Sequence, residues 1–332
     1  MSEVLLHYTR AGKVESVHRG DIVAVNTKGE IVYSVGDAKK PMFWRSAAKP
    51  FQALPFVRGG GVEQYGITEE ELAFLISSHN GEEKHVELAR SIFEKIGVTE
   101  DALECGVMRP SYGKAAAKLT AAGIKPTAIH NQCSGKHSGM LALCRLMGVP
   151  TPGYISPEHP AQKEMHEAVA YASDMKPEEL EIGIDGCGVP VFYLPLDHMA
   201  YAYARLAKPE EGNWGEYEEA ARKIRDAMVN QPFAVAGSKR IDTAIMEITK
   251  GRILAKVGAE AVYCLANLEE GVGLTFKIED GSYRAINPVV LGSLKAMNWL
   301  TDEEYAQLEA QFPPVLKNHR GDVIGSIEVM FK

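Results

Sequence analysis

The sequence lacks most features of membrane, secreted or nucleic-acid-binding proteins. No stretch approaches the roughly 20 apolar residues that a membrane-spanning helix needs, and Met1–His7 has neither the basic nor the apolar region of a signal peptide. Lys and Arg number 36 against 44 Asp and Glu, a formal net charge of −8, so the broad basic face that binds a phosphate backbone is missing. Composition therefore argues against nucleic acid and membrane as partners.

Cysteine is also scarce, and its placement excludes a disulfide framework. The five cysteines are odd in number and scattered, which favours reduced thiols and a cytoplasmic protein: Cys105, Cys133, Cys144, Cys187 and Cys264. Reduced thiols can be buried, catalytic or bound to a metal ion. We expect Cys105, Cys144 and Cys264 to be small buried apolar residues.

The order of predicted elements indicates an α/β protein with two lobes. Its 332 residues, 45% hydrophobic and 24% charged, are typical of a globular chain with one large domain or two lobes. Apolar–polar alternation predicts strands near both chain ends, whereas the middle has helical periodicity and capping boxes. We predict one discontinuous domain over residues 1–332, with a sheet lobe (1–45 and 241–332), a mainly helical lobe (46–240) and a site at their seam.

Ser46 and Lys49 form a Ser-x-x-Lys pair. On a helix, residues three positions apart share a face, so the amine can take the hydroxyl proton and activate the oxygen as a nucleophile. The charge of Arg45 could lower the pKa of this lysine. The spacing recurs by chance in many proteins, and Pro50 disfavours helical geometry at Lys49, so the pair alone is weak evidence.

A segment rich in reactive side chains opens a predicted helix in the middle of the chain. HNQCSGKHSGML contains Cys133, Lys136 and His137. Backbone N–H groups at a helix start favour anions and lower the pKa of a thiol placed there. The phosphate-binding pattern G-x-x-x-x-G-K-[ST] is absent, so nucleotide binding is unsupported. We interpret the segment as functional.

Three further segments are ambiguous when each is taken alone. SSHNGE could present the Ser78 hydroxyl to a polar ligand or simply end a helix. In GIDGCGVP, Asp185 and Cys187 would share a face of an extended chain or belong to an ordinary turn. Lys256, between two predicted strands, is either buried and paired or solvated.

Together these motifs resemble the bacterial L-asparaginase II family of the Rhizobium etli type, also called class 3. SAAKPFQALP, SSHNGE, HNQCSGKHSGML and DGCGVP occur in the family's order. The family is similar in fold to serine β-lactamases, penicillin-binding proteins and serine glutaminases. The resemblance therefore implies a β-lactamase-like α/β fold, with a mixed sheet from both chain ends and an inserted helical lobe. It also implies a homodimer that hydrolyses L-asparagine to L-aspartate and ammonia through a serine acyl-enzyme.

The resemblance implies catalytic roles for two serine–lysine pairs. Ser46 would be the nucleophile and Lys49 its base. Ser78 and Lys256 would assist proton transfer or hold substrate. An oxyanion hole would combine the N–H of the nucleophile with an N–H from the facing strand, after Gly258.

The resemblance also implies substrate and metal ligands. The substrate-binding residues would be Arg45, Asp185 and His137. Asp185 would hold the α-amino group, a role that suits its charge. Cys133, Lys136 and Cys187 match the family's metal-binding set and would suit tetrahedral Zn²⁺ with one open position. Lysine is an unusual ligand because it must first lose a proton, so His137 stays an alternative to Lys136.

Two other functions remain open at this stage. A serine glutaminase of the same fold is hard to exclude, because one methylene discriminates by only about 1–3 kcal/mol. A penicillin-interacting enzyme is disfavoured by the absence of an export signal and of the S-D-N triplet. The other class is a zinc-dependent sensor that binds amino acids without turning them over.

Overall fold

The computed structural model describes residues 2–332, which form one large sheet, one small sheet and a set of helices. The strands are β1 (Glu3–Arg10), β2 (Lys13–Asn26), β3 (Ile31–Val35), β4 (Pro41–Phe43), β5 (Glu181–Ile184), β6 (Pro190–Pro195), β7 (Ile253–Gly258), β8 (Val262–Asn267), β9 (Val272–Ile278), β10 (Val315–Lys317) and β11 (Val323–Val329). The large sheet has the order β10-β11-β1-β2-β9-β8-β7, with β3 also paired to β2. The small sheet has the order β4-β6-β5.

The α-helices lie mostly between β3 and β7. They are α1 (Lys49–Gln52), α2 (Leu54–Arg58), α3 (Gly61–Tyr65), α4 (Glu69–Leu75), α5 (Glu83–Ile96), α6 (Gly113–Ala121), α7 (Ser134–Met147), α8 (Pro160–Ala172), α9 (Leu196–Ala207), α10 (Glu218–Asn230), α11 (Pro232–Val235), α12 (Ile241–Ile248), α13 (Ile286–Ala296) and α14 (Asp302–Gln311). Short 3₁₀ helices cover Arg45–Ala48, Glu100–Ala102, Ala128–His130, Pro177–Glu179, Gly215–Tyr217, Ala259–Ala261 and Tyr283–Ala285.

The large sheet joins the two ends of the chain, as predicted. The N-terminal β1 pairs with the C-terminal β11, and β2 pairs with β9. This confirms the α/β class with an inserted helical lobe. One detail differs: the sheet was expected to be mixed, but its pairings within residues 2–332 are all antiparallel, because neighbours such as β1–β2, β7–β8 and β8–β9 are joined by short connections. The exact lobe boundaries stay a prediction.

Helix α9 packs directly on the large sheet. A Cβ at Gly273 of β9 would overlap the backbone of Ala200 and Ala204, so glycine is what allows the helix this close. Most of α9 is buried. The five cysteines are buried as free thiols, which confirms the expectation for Cys105, Cys144 and Cys264. Within residues 2–332, the helices are too short or too polar to cross a bilayer.

Candidate active site

A cavity of about 540 Å³ lies where β7 meets the start of the helical lobe. Its lining includes Ser46, Ser78, Arg240 and Gly258. Gly258 lies at the end of β7, and a Cβ there would come 3.1 Å from the carbonyl oxygen of Trp44. The glycine thus lets the strand approach the Arg45–Ala48 turn closely. The seam between lobes therefore holds a site-sized cavity, where the sequence predicted one.

Two lysines converge on the hydroxyl of Ser78 in the wall of this cavity. The Nζ atom of Lys49 lies 2.9 Å from Ser78 Oγ, and that of Lys256 lies 2.8 Å from the same oxygen. Both lysines are 1% exposed and Ser78 is 4% exposed. Lys256 is therefore buried and paired, which is one of the two states that the sequence left open.

Burial changes the proton affinity of both amines. It lowers the pKa of Lys49, an effect partly offset by the charge of Cys133 and reinforced by that of Lys136. Burial, and then the charge of Lys49, lower the pKa of Lys256 well below its usual value. Two ammonium groups on one hydroxyl would repel each other, so the pair favours at least one neutral amine.

Ser46 lies beside this arrangement and faces the cavity. It is half-buried and sits in the 3₁₀ turn Arg45–Ala48. Among residues 2–332 its hydroxyl makes no hydrogen bond, whereas Lys49 Nζ donates to the carbonyl oxygen of Ser77 at 2.5 Å and to Ser78 Oγ. The predicted Ser46–Lys49 hydrogen bond is therefore not formed in this conformation. This turn runs directly into α1, and Lys49 takes helical φ and ψ of −57° and −36°, so Pro50 does not prevent helical geometry there as expected.

The polar chain continues from Lys49 to a pair of thiols. Lys49 Nζ lies 3.6 Å from Cys133 Sγ, Lys136 Nζ lies 3.1 Å from Cys187 Sγ, and the two thiols are close enough to shift each other's pKa. Cys133 caps the N-terminus of α7, where the sequence placed it. Side chains from separate motifs are thus brought into one connected network.

The two thiols, Cys133 and Cys187, shift each other's pKa in opposite directions. The hydrogen bond from Cys187 lowers the pKa of Cys133 well below its usual value and raises the pKa of Cys187. Burial acts to lower the pKa of Lys136, but the charges of Cys187, Cys133 and Asp185 outweigh it and the pKa is raised. A thiolate between two ammonium groups is a favourable arrangement for a buried cluster.

Of the two ligand sets expected for zinc, one with Lys136 and one with His137, this cluster has the donor atoms of the first. Two cysteine sulfurs and the lysine nitrogen meet in a buried place and would leave a fourth position open. Within residues 2–332, no group of three or more His, Cys, Asp or Glu side chains could hold a metal ion, so His137 does not join the two cysteines. Of the two candidates for the third ligand, Lys136 is the one whose side chain contacts a cysteine sulfur.

Asp185 and Arg45 are paired with each other. Arg45 Nε and Nη2 lie 3.1 and 2.7 Å from Asp185 Oδ1, and the N–H of Gly186 donates to the same oxygen. Burial acts to raise the pKa of Asp185, but the charges of Lys136 and Arg45 outweigh it and lower the pKa. Neither Asp185 nor Arg45 lines the cavity. Oδ2 of Asp185 makes no hydrogen bond within the described residues and is the oxygen open to a ligand.

His137 is buried away from the cavity lining. Its Nδ1 is 2.6 Å from the Tyr154 hydroxyl, and its Nε2 has no hydrogen-bond partner within residues 2–332. Burial lowers the pKa of His137 well below its usual value, so the ring is neutral. The structure gives it no direct access to a substrate in the cavity.

The structure adds a loop that the sequence did not single out. The loop of residues 236–240 and the first turn of α12 line the cavity through Lys239, Arg240 and Asp242. Asn80 and Glu82 of the SSHNGE motif hold this loop, since both hydrogen-bond to Ser238. The partners are more than 150 positions apart in the chain, so no local pattern could have revealed the contact.

Two solved structures and one family profile are similar to this chain. Among solved structures, a β-lactamase from Mycobacterium bovis is 11% identical, with 88% of this chain and 93% of that chain covered and a TM-score of 0.38. A β-lactamase-like protein from Bacteroides dorei is 13% identical, with 82% and 92% covered and a TM-score of 0.41. A search of curated proteins found no match. The family profile described as L-asparaginase II matches residues 6–329, which include the whole cavity lining.

Proposed function

This chain belongs to the L-asparaginase II family, and we propose that it hydrolyses the side-chain amide of L-asparagine to L-aspartate and ammonia through a serine acyl-enzyme. Family membership makes it an amidohydrolase. The observation that carries the finer proposal is the Ser78 hydroxyl between two buried lysines, in the wall of a cavity that Ser46 also lines. Serine hydroxyls need such a base to act in acyl transfer.

Ser46 is the proposed nucleophile. Its hydroxyl faces the cavity and is not engaged by another side chain, whereas Ser78 Oγ is already held by both lysines. Ser46 Oγ would attack the amide carbon and lose its proton to Lys49. Lys49 then gives this proton to the amide nitrogen, the C–N bond breaks, and ammonia leaves. Water hydrolyses the resulting ester and restores the serine.

Ser78 and Lys256 are proposed to relay protons to and from Lys49. A neutral lysine can accept the Ser78 hydroxyl proton while the other donates to Ser78 Oγ, so a proton can cross from one amine to the other. Burial lowers the pKa of both amines, which keeps a base available nearer neutral pH than a solvated lysine would.

Backbone N–H groups of Ser46 and Ala259 are the proposed oxyanion donors. Ser46 lies in the first turn of a 3₁₀ helix, where N–H groups lack partners within the helix. Ala259 follows Gly258 directly and lines the cavity. A pair of donors aimed at the developing oxyanion is worth about 10²–10³ in rate per donor.

Zinc is proposed as a resident ion held by Cys133, Lys136 and Cys187. When bound, it would supply a fixed positive charge beside Lys49. Asp185 is proposed to bind the substrate's α-amino group through Oδ2, with Arg45 holding the carboxylate in place through Oδ1. The His137 side chain, which is not part of the cavity lining within the described residues, would act through Tyr154.

Ammonia release from L-asparagine and L-glutamine, with Ser46→Ala and Ser78→Ala as variants, tests the proposal. We expect release from L-asparagine and a loss of about 10³-fold or more in Ser46→Ala. Wild-type protein quenched during turnover should carry an aspartyl group on Ser46 by mass spectrometry. Equal release from glutamine would make the enzyme a glutaminase with the same mechanism. Binding of asparagine without release from any substrate would favour the amino-acid sensor instead.

A further inference from the structure

The loop of residues 236–240, which leads into α12, supplies the positive charge that the cavity lining contains. Lys239 and Arg240 line the cavity, together with Ser46 and Ser78, whereas Arg45 does not. An α-amino acid carries a carboxylate next to its ammonium group. The residues proposed so far account for the ammonium group and for the amide, and leave the carboxylate without a partner.

Arg240 is fixed at the cavity wall by three long contacts. Its Nη1 lies 3.4 Å from the carbonyl oxygen of Ser78 and 3.5 Å from Asn80 Oδ1, and its Nη2 lies 3.6 Å from Asp242 Oδ2. The side chain is 24% exposed. Within residues 2–332, Nε and Nη2 make no hydrogen bond. The guanidinium is therefore oriented but keeps donors for a ligand.

Asp242 lies behind Arg240 and orients it. Its Oδ1 accepts from the N–H of Val257 at 2.7 Å, which ties the carboxylate to β7 beside Lys256. Its Oδ2 is buried, has no hydrogen-bond partner in the described part of the chain, and lies 3.6 Å from Arg240 Nη2. A buried carboxylate needs a cation, so the arginine is held where it is.

The loop itself is rigid, which a binding residue requires. Gly237 has a φ of +102°, and a Cβ there would lie 2.8 Å from Asn80 Nδ2 and from Glu82 Oε1. The N–H and hydroxyl of Ser238 donate to the Glu82 carboxylate at 2.8 and 2.9 Å. The SSHNGE motif, which contains Ser78, thus also holds the loop that leads to Arg240.

We propose that Arg240 binds the α-carboxylate of the amino-acid substrate and that Asp242 is the positioning residue that holds Arg240. This inference rests on the proposed amidohydrolase function. Only two carbon atoms separate the α-carboxylate of asparagine from the amide carbon, and Arg240 touches the residue whose hydroxyl joins the two lysines. A guanidinium recognises a carboxylate through parallel N–H donors, which the amine of Lys239 cannot reproduce.

Substrate analogues that lack one charged group separate the two ends of the substrate. Succinamate keeps the carboxylate and lacks the amino group, and 3-aminopropanamide keeps the amino group and lacks the carboxylate. For Arg240→Gln we expect kcat/KM to fall about 100-fold with L-asparagine and succinamate, mostly through KM, as for loss of a charged bidentate contact. With 3-aminopropanamide the change should stay within about threefold. Arg240→Lys should recover part of the loss.

Two matched variants complete the design. Lys239→Gln removes the neighbouring, exposed cation and should leave all three substrates within about threefold. Asp242→Asn keeps an acceptor for Val257 and removes the charge behind Arg240. It should raise KM about tenfold for L-asparagine and succinamate only, a dependence on substrate that a general loss of structure would not produce.

The outcomes distinguish this inference from the proposed function. An equal loss with all three substrates in Arg240→Gln, or a loss larger in Lys239→Gln than in Arg240→Gln, would overturn the role of Arg240 while leaving the hydrolase intact. If the wild type releases no ammonia, calorimetry of L-asparagine and succinamate with Ser46→Ala protein decides the matter. Binding that Arg240→Gln abolishes would uphold the carboxylate site without the hydrolase, and absence of binding would overturn both.

Discussion

Gly135 and Gly139 lie one turn apart on α7, and their surroundings predict opposite effects of the same Gly→Ala change. A Cβ at Gly135 would overlap the carbonyl oxygen of Phe74 and lie 2.5 Å from Ser77 Oγ. A Cβ at Gly139 would have Leu75 Cβ as its nearest neighbour, at an ordinary 3.5 Å. Gly135 therefore marks the closest approach of α7 to the segment that carries Ser78.

The magnitudes follow from two opposing terms. Overpacking a closed interior costs about 1–3 kcal/mol and more where backbone must move, and alanine gains about 1 kcal/mol over glycine inside a helix. Gly135→Ala should lower the free energy of unfolding by about 1–2 kcal/mol, because the gain in helix propensity only partly offsets the overlap. Gly139→Ala should raise it by up to about 1 kcal/mol, because its methyl group meets no obstacle.

Equilibrium unfolding in guanidinium chloride measures both variants against the wild type. The two midpoints should lie on opposite sides of the wild-type midpoint with unchanged slopes. Equal stabilities for the two variants, or a more stable Gly135→Ala, would refute the account of how α7 packs against the Ser77–Ser78 segment.

Three other predictions concern proton affinity, zinc and assembly. The pKa of Lys256 is lower in the folded chain than its usual value of about 10.5, so the unfolded chain binds the extra proton and wild-type stability rises with pH toward that value. The free energy of unfolding of Lys256→Met minus that of the wild type should therefore fall between pH 7 and pH 10 in denaturation curves. A rise of this quantity with pH would contradict the account. Cys187→Ser should lower the zinc content of purified protein, measured by atomic absorption, whereas the equally buried Cys264→Ser should not. Sedimentation velocity should show the mass of two chains, and a single-chain mass at all concentrations would rule out the expected homodimer.

Helices with clear caps could be predicted closely from the sequence. Glu83–Ile96 and Pro160–Ala172 have the bounds expected from periodicity. The helix Leu196–Ala207 could not be predicted in the same way, because it begins after Pro195 without a side-chain cap and is buried on most sides. Apolar periodicity near the C-terminus predicts a helix near Val289–Leu300, whereas the helix covers Ile286–Ala296 and ends before Asn298, which takes a left-handed conformation with φ +54°.

The candidate site could be predicted where its residues lie in dense motifs and not where they act through distant contacts. Cys133 and Lys136 stand within four positions of each other, and such density is rare in a buried helix entry. Arg240 and Asp242 stand in an unremarkable segment, and their place at the cavity depends on Asn80, some 160 positions earlier. Local patterns cannot encode a contact of that range, so the loop had to be found in the structure.

The shared hydroxyl of Ser78 explains why one serine–lysine pair would not suffice. Lys49 lies 3.6 Å from Cys133 Sγ, whose negative charge favours the ammonium form, whereas the pKa of Lys256 is depressed further by burial and by the charge of Lys49. These effects favour the proton on Lys49 and a neutral amine at Lys256. Before Lys49 can accept the proton of Ser46, it must release its own, and Ser78 Oγ at 2.9 Å is the side-chain acceptor that also reaches Lys256, at 2.8 Å. Ser78 donates its hydroxyl proton to Lys256 as it accepts one from Lys49, which balances the transfer.

Loss of the Ser78 hydroxyl would thus leave Ser46 in place but its base protonated. Ser78→Ala should therefore lose activity most severely at the low end of the pH range and recover part of it as pH rises.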